Sequence, residues 1–268
     1  MIKNITIIIS VVLALFITGC TSNASISTNS ALQKTVKESE PKLKEAAEMN
    51  VQLAVGYIQR KQYNAARGKL EKAIKQNPNN VDAYKTLAYL YALLGMKDEA
   101  ETKYQEALEL KPEDPDLSNF YGTFLCSIGK NDEAQEKFQV AYSNPFYESA
   151  YLAESNAGSC YVEQGEYAKA EPLLRRSLRI NPKIAGSLIS MAEIGIKTDR
   201  FLMARAYIQR YHDASKPTAA SLWVQIQAEK ALGANDHYVR YARQLIREFP
   251  DSDEAGWVEA EARHLPLR

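Results

Sequence analysis

Three cysteines and three histidines are the side chains of this 268-residue sequence best suited to nucleophilic or metal chemistry. His212, His237 and His264 are too widely spaced for an H-x3-H pair of metal ligands, and three cysteines are too few for a disulfide scaffold. The sequence also lacks a Gly-rich phosphate loop, a His-Glu-x-x-His pair and a Gly-x-Ser-x-Gly elbow. No nucleophile can be matched with a base, so the expectation is a protein that is not an enzyme and uses no cofactor, metal or small-molecule substrate. What remains is thiol chemistry, at Cys20, which follows the small residues Thr18 and Gly19, and at Cys126 and Cys160.

Composition narrows the classes further. The 33 basic and 33 acidic residues give a formal net charge of zero, which removes the broad positive footprint that nucleic-acid binding requires. A hydrophobic content of 46% is enough for a packed core, and a mean hydropathy of −0.37 is too low for an integral membrane protein.

Residues 1–19 read as a signal peptide. Lys3 supplies the positive start, and residues 5–17 form an almost wholly apolar run, shorter than the roughly 20 residues of a membrane-crossing helix. The following Ile17-Thr18-Gly19-Cys20 resembles the bacterial lipobox, and that resemblance makes Cys20 the first mature residue and the site of lipidation. Thr21, in place of the aspartate associated with inner-membrane retention, implies an outer-membrane lipoprotein anchored on the periplasmic face. Several acyl chains at about 0.8 kcal/mol per buried methylene would hold it there without a transmembrane helix. Residues 20–46 are expected to be a lipidated polar tether, coil-like over much of its length, possible capping-helix residues coming at its end.

The rest of the chain is periodic. Prolines at Pro78, Pro112, Pro145, Pro182, Pro217 and Pro250 mark a repeat of about 34 residues and place six units over residues 47–250, starting at 47, 81, 115, 151, 185 and 219. Residues 251–268 are left as a C-terminal helix or tail. The units resemble the tetratricopeptide repeat. The second is the clearest copy, with Tyr84, Leu87, Ala88, Tyr91, Gly95, Ala100, Tyr104, Ala107 and Pro112. The first carries Leu53, Ala54, Tyr57, Ala66, Leu70 and Ala73, and the third Tyr121, Gly122, Leu125, Gly129, Ala134, Phe138 and Ala141. The fourth keeps Gly158, Gly165, Ala170 and Leu174, while the fifth has Asp199 at its turn. The sixth is degenerate, with Trp223 out of place, and is expected to cap the array with its outer face toward water. The implied fold is all-α, a superhelix of six helical hairpins with a short C-terminal helix. Pro172 falls inside a second helix, where it should remove one hydrogen bond and bend the backbone.

In tetratricopeptide arrays the first helices line an inner groove. Val51, Val55 and Ile58 of the first unit and Lys85, Tyr89 and Leu93 of the second fall at groove positions, whereas the third unit offers Asn119, Thr123 and Ser127. An apolar stripe on a concave face suggests a site for a peptide segment. The alternative is that residues 31–46 fold back as a helix and cover it. Cys126 and Cys160 lie on neighbouring first helices, so a disulfide between them is expected in an oxidising compartment, the alternative being two small buried hydrophobes.

Three stretches go beyond the generic repeat: Asn119-Phe120-Tyr121-Gly122-Thr123-Phe124-Leu125-Cys126, Ala141-Tyr142-Ser143-Asn144-Pro145-Phe146-Tyr147 and Asn156-Ala157-Gly158-Ser159-Cys160. Together with the lipobox they resemble the PilF/PilW lipoproteins of type IV pilus biogenesis, with one departure at Thr123, where the family commonly has tryptophan. The resemblance implies a pilotin, a non-catalytic adaptor that binds the type IV pilus secretin and promotes its outer-membrane localisation and multimerisation, hence pilus assembly and twitching motility. The other reading open at this point is a repeat lipoprotein scaffold for envelope enzymes such as peptidoglycan hydrolases.

Overall fold

The structure is a computed structural model that describes the backbone of residues 24–262 and the side-chain environments of residues 40–261. Residues 1–19 and Cys20, where the signal peptide and lipidation site are expected, lie outside the described residues. The chain divides into two compact units, residues 1–45 and 46–268.

Every described element is a helix. The first helix, α1 (Ala24–Gln59), begins well before the expected first repeat, so the coil expected for the tether does not hold from residue 24 on. The reason is local. Residues 32–46 are rich in Leu, Gln, Lys, Glu and Ala, all good helix formers, and Glu40 and Lys44 pair at 3.0 Å one turn apart.

From Ala46 on, helices alternate as antiparallel pairs. The end of α1 pairs with α2 (Tyr63–Gln76), α3 (Val81–Leu93) with α4 (Lys97–Leu110), and α5 (Pro115–Ser127) with α6 (Asn131–Ser143). Then α7 (Ala150–Glu163) pairs with α8 (Tyr167–Ile180), α9 (Ala185–Lys197) with α10 (Phe201–Ala214), and α11 (Ala219–Ala231) with α12 (Asn235–Glu248); α13 (Asp253–Ala262) closes the array. This is the expected all-α repeat superhelix. Among the described residues, no helix is long and apolar enough to cross a membrane.

The pairing follows from side-chain size. Each second helix buries an i, i+4, i+7 set: Ala66, Leu70 and Ala73 in α2, Ala100, Tyr104 and Ala107 in α4, and Ala134, Phe138 and Ala141 in α6. The large middle residue is received by a small one on the partner helix. Gly122 lies against Phe138 and Gly158 against Leu174 so closely that an added Cβ would stand 2.8 and 2.6 Å from them. Leu53, expected in the first core, is exposed instead.

The hairpins turn through left-handed residues. Gly95, Gly129, Gly165 and Gly233 fill that role in four units, and Lys61 and Asp199 adopt the same conformation at φ 58° and 55°. Asp114 caps α5 by accepting from Leu117 N at 2.9 Å, with Pro115 at the first helical position. Pro172 sits inside α8, which continues through it.

The last unit departs from the expectation of an outer face meeting water. Ala255 and Val258 of α13 are buried with Leu222 and Ile226 of α11, and Trp257 meets Trp223 at a ring separation of 5.3 Å. Trp223 is therefore matched to the terminal helix, which covers the apolar face that a seventh repeat would otherwise bury.

Candidate peptide-binding groove

The groove begins where α1, α3 and α5 lie side by side. Val55, Ile58, Lys85, Tyr89 and Leu93 all line one open cleft of about 400 Å³. Val55 is 41% exposed, Tyr89 39% and Leu93 46%, although each is apolar or aromatic and lies on a well-packed helix. Val51 lines an adjoining hollow of about 470 Å³ with Val55, Lys85 and Phe120, but it is the most buried of the expected groove residues. It is 8% exposed and belongs to the buried cluster that contains Ala54, Ala83 and Leu87, because one turn earlier on α1 the start of α3 covers the same helical face.

A further wall was not expected from repeat register. Phe120, on α5, lines the cleft and meets the Tyr89 ring edge-on at 6.1 Å. Sequence reasoning assigned the third unit only Asn119, Thr123 and Ser127, and Asn119 turns out to be largely buried, its side-chain oxygen engaged by the neighbouring repeat: Asn156 Nδ2 donates to Asn119 Oδ1 at 3.0 Å. The available signal was the adjacent pair Phe120 and Tyr121. Only one of two consecutive aromatics on a helix can face the core, and Tyr121 does so, stacked on Tyr104 at 5.1 Å.

Lys85 is the one cation of this cleft wall that is held in place. Its ammonium donates to Asp82 at 2.8 Å and to Asp116, and lies 5.3 Å from the centre of the Phe120 ring. Burial alone would lower its pKa, but the hydrogen bonds and charges of Asp116 and Asp82 outweigh that and hold it above the ordinary lysine value. Tyr147, from the segment between α6 and α7, donates to Asp116 at 3.2 Å. Burial first and Asp116 second push its phenol up to about 12, so it stays a donor at any physiological pH. Phe146 beside it is 91% exposed.

The cleft does not stop at α3. A second hollow of about 360 Å³ shares Tyr89, Leu93 and Phe120 with the first and adds Thr123, Ser127 and Asn156. A third, of about 170 Å³, shares Thr123, Ser127 and Asn156 and reaches Ser159, Cys160 and Glu163. Cys126 and Cys160 are joined as a disulfide in the floor of this last part, with Cα atoms 6.1 Å apart, linking α5 to α7.

Among the described residues, no group of three or more His, Cys, Asp and Glu side chains is disposed to hold a metal ion. The buried carboxylates are tied to arginines across helices, Glu154 to Arg176 at 2.7 Å and Glu229 to Arg205 at 3.1 Å, where they join neighbouring helices.

Comparison with known proteins agrees with this architecture. The tetratricopeptide repeat family profile matches residues 51–115 and 127–183. The chain is 26% identical over 249 residues to the type IV pilus assembly protein PilF of Pseudomonas aeruginosa, covering 93% of this chain and 96% of that protein. A crystal structure of PilW, described as a widely conserved type IV pilus biogenesis factor, superposes with a TM-score of 0.73 at 30% identity, covering 79% of this chain and 97% of that one. A structure of Pseudomonas aeruginosa PilF superposes equally well, TM-score 0.73 at 27% identity, over 82% of this chain and 99% of that one. With the fold shared over 97% and 99% of those two structures, the chain belongs to the PilF/PilW family of tetratricopeptide-repeat proteins of type IV pilus biogenesis.

Proposed function

We propose that the protein is a non-catalytic, lipid-anchored adaptor of the outer membrane, a pilotin whose groove holds a segment of the type IV pilus secretin subunit. The observation that carries this reading is the exposed apolar wall of Val55, Tyr89, Leu93 and Phe120 in a member of a pilus biogenesis family. Exposed apolar side chains on a concave, rigid surface have no packing role of their own, and burying them against a partner removes them from water at about 25 cal/mol per Å².

In this proposal Cys20 carries the acyl chains and the repeats carry the specificity. Binding of one secretin segment then becomes delivery to a membrane, because the anchor confines the bound subunit near its destination and raises its local concentration for ring assembly. The Cys126–Cys160 disulfide stiffens the step between the third and fourth hairpins, which keeps the groove preformed and lowers the ordering cost of binding.

The test is capture of secretin from solubilised outer membrane by the full-length protein, compared with Val55→Asp. Val55 is already half in water, so the variant should remain folded while the captured secretin and the secretin multimers in cells fall together. Undiminished capture by a folded Val55→Asp protein would overturn the assignment. Capture of cell-wall hydrolases with unchanged secretin multimers would favour an envelope-enzyme scaffold instead.

A further inference from the structure

The turns that join one hairpin to the next are built alike. In three of them an asparagine side chain accepts from the backbone N–H two residues on, with a proline between: Asn77 from Asn79 at 3.2 Å, Asn144 from Phe146 at 2.9 Å and Asn181 from Lys183 at 3.1 Å. Where Pro78, Pro112, Pro182 and Pro250 are followed by Asn79, Glu113, Lys183 and Asp251, Pro145 is followed by Phe146. Its ring is 91% exposed, on a turn held at one side by Asn144 and at the other by the Tyr147 hydroxyl, which donates to Asp116 at 3.2 Å. A large apolar side chain fixed in water by its own backbone has no packing role in the hairpin.

Phe146 is one point of a continuous edge formed where the second helices end. Ile180, the last residue of α8, is 64% exposed there. Arg176 of α8 lies 5.9 Å from the Tyr142 ring at the end of α6, and Arg210 of α10 donates to the Pro182 carbonyl at 3.1 Å, so the ends of α6, α8 and α10 adjoin. The zero net charge of the chain conceals unlike stretches, and residues 167–248 carry 14 Lys and Arg against 7 Asp and Glu. On the edge itself Arg179, Lys183, Arg210 and Lys216 are exposed, opposed by Glu148 and Asp213. Among the described residues none of these four cations makes an ion pair within 4 Å. Asp116, behind Tyr147, is already paired with Lys85.

We infer that this edge docks on an anionic phospholipid surface, with Phe146 and Ile180 entering the headgroup boundary and Arg179, Lys183, Arg210 and Lys216 meeting lipid phosphates. Exposed apolar side chains flanked by an excess of unpaired cations suit that boundary, which takes up the first and attracts the second. The inference goes beyond the groove reading and rests on the membrane anchorage proposed above, which confines the edge near a bilayer at high local concentration. The groove, lined by first helices, stays open to its partner in this arrangement.

The full-length protein in nanodiscs of zwitterionic lipid, with or without about 30% phosphatidylglycerol, tests this. An environment-sensitive dye is attached at Phe146→Cys, or at Leu202→Cys as a control, Leu202 being 69% exposed at the start of α10 and so at the opposite edge. Each Lys or Arg near an anionic surface strengthens docking by about fivefold, so quenching of the dye at position 146 by acyl-chain-brominated lipid should rise about threefold with phosphatidylglycerol. Arg179→Glu/Lys183→Glu should abolish that rise, and the dye at position 202 should stay unquenched. Equal quenching at the two positions, or quenching at position 146 that ignores phosphatidylglycerol, would overturn the inference. So would a dye at position 146 that responds only when solubilised secretin is added, which would give the edge to a protein. Loss of the protein from the discs would overturn the anchorage itself, whereas a retained protein unquenched at position 146 would overturn the docking edge alone.

Discussion

Tyr89 and Phe120 stand edge to face across two hairpins, ring centres 6.1 Å apart at 85°, and both remain exposed on the groove. Two rigid aromatics that touch each other yet face water form a preorganised contact surface, and such residues dominate interface energies. Phe120→Ala should leave thermal stability nearly unchanged and weaken secretin capture at least tenfold. Melting by circular dichroism together with quantitative capture checks this, and a variant that unfolds without a separate binding defect would mean Phe120 is a core residue.

Gly122 and Gly68 provide an internal control on packing. An added methyl at Gly122 meets the Phe138 ring at 2.8 Å and the Ala134 carbonyl at 3.1 Å, whereas at Gly68 it meets nothing within 4 Å. Overpacking of about 1 to 3 kcal/mol exceeds the roughly 1 kcal/mol that alanine gains over glycine in a helix. Gly122→Ala should therefore shift the urea midpoint down, and Gly68→Ala should shift it up by the equivalent of about 1 kcal/mol.

His212 should give the stability a dependence on mildly acidic pH. Burial lowers its pKa below 6.5, against the opposing charge of Asp213, and its Nε2 lies 3.0 Å from Ser221 Oγ. The unfolded chain then takes up the proton first, so the contribution is complete above pH 6.5 and is lost as pH falls through the folded-state pKa. Unfolding curves of wild type and His212→Gln between pH 7.5 and 5, written as a difference, should show the wild type losing relative stability on the acid side; parallel curves would refute it.

Cys126 and Cys160 close a loop of 35 residues, worth about 3 to 4 kcal/mol in the chain-entropy model. Reduction, or Cys126→Ser/Cys160→Ser, should lower the midpoint accordingly and increase amide exchange mainly in α5 to α8, since repeats couple chiefly to their neighbours. Free-thiol titration of the protein extracted from cells under alkylating conditions should find neither cysteine reactive.

Much of this molecule is legible from short-range pattern alone. The recurrence of small and large residues every 34 positions, the glycines at the turns and the cap at Asp114 specify the hairpins because each acts within a few residues along the chain. The same locality explains the helix over residues 32–46, where helix-forming composition outweighed the polar character read as a tether. Which side of a helix meets another helix, and which meets water, is a different question. Val51 and Val55 share a face one turn apart, yet α3 covers the first and leaves the second open. Phe120 and Tyr121 are neighbours of like size, and only the position of α4 sends Tyr121 inward and Phe120 to the groove. Trp223 acquires its partner from α13, and the three hollows join only because consecutive hairpins stack in register. Periodicity gives each side chain a direction; burial depends on what the rest of the chain brings to stand in front of it.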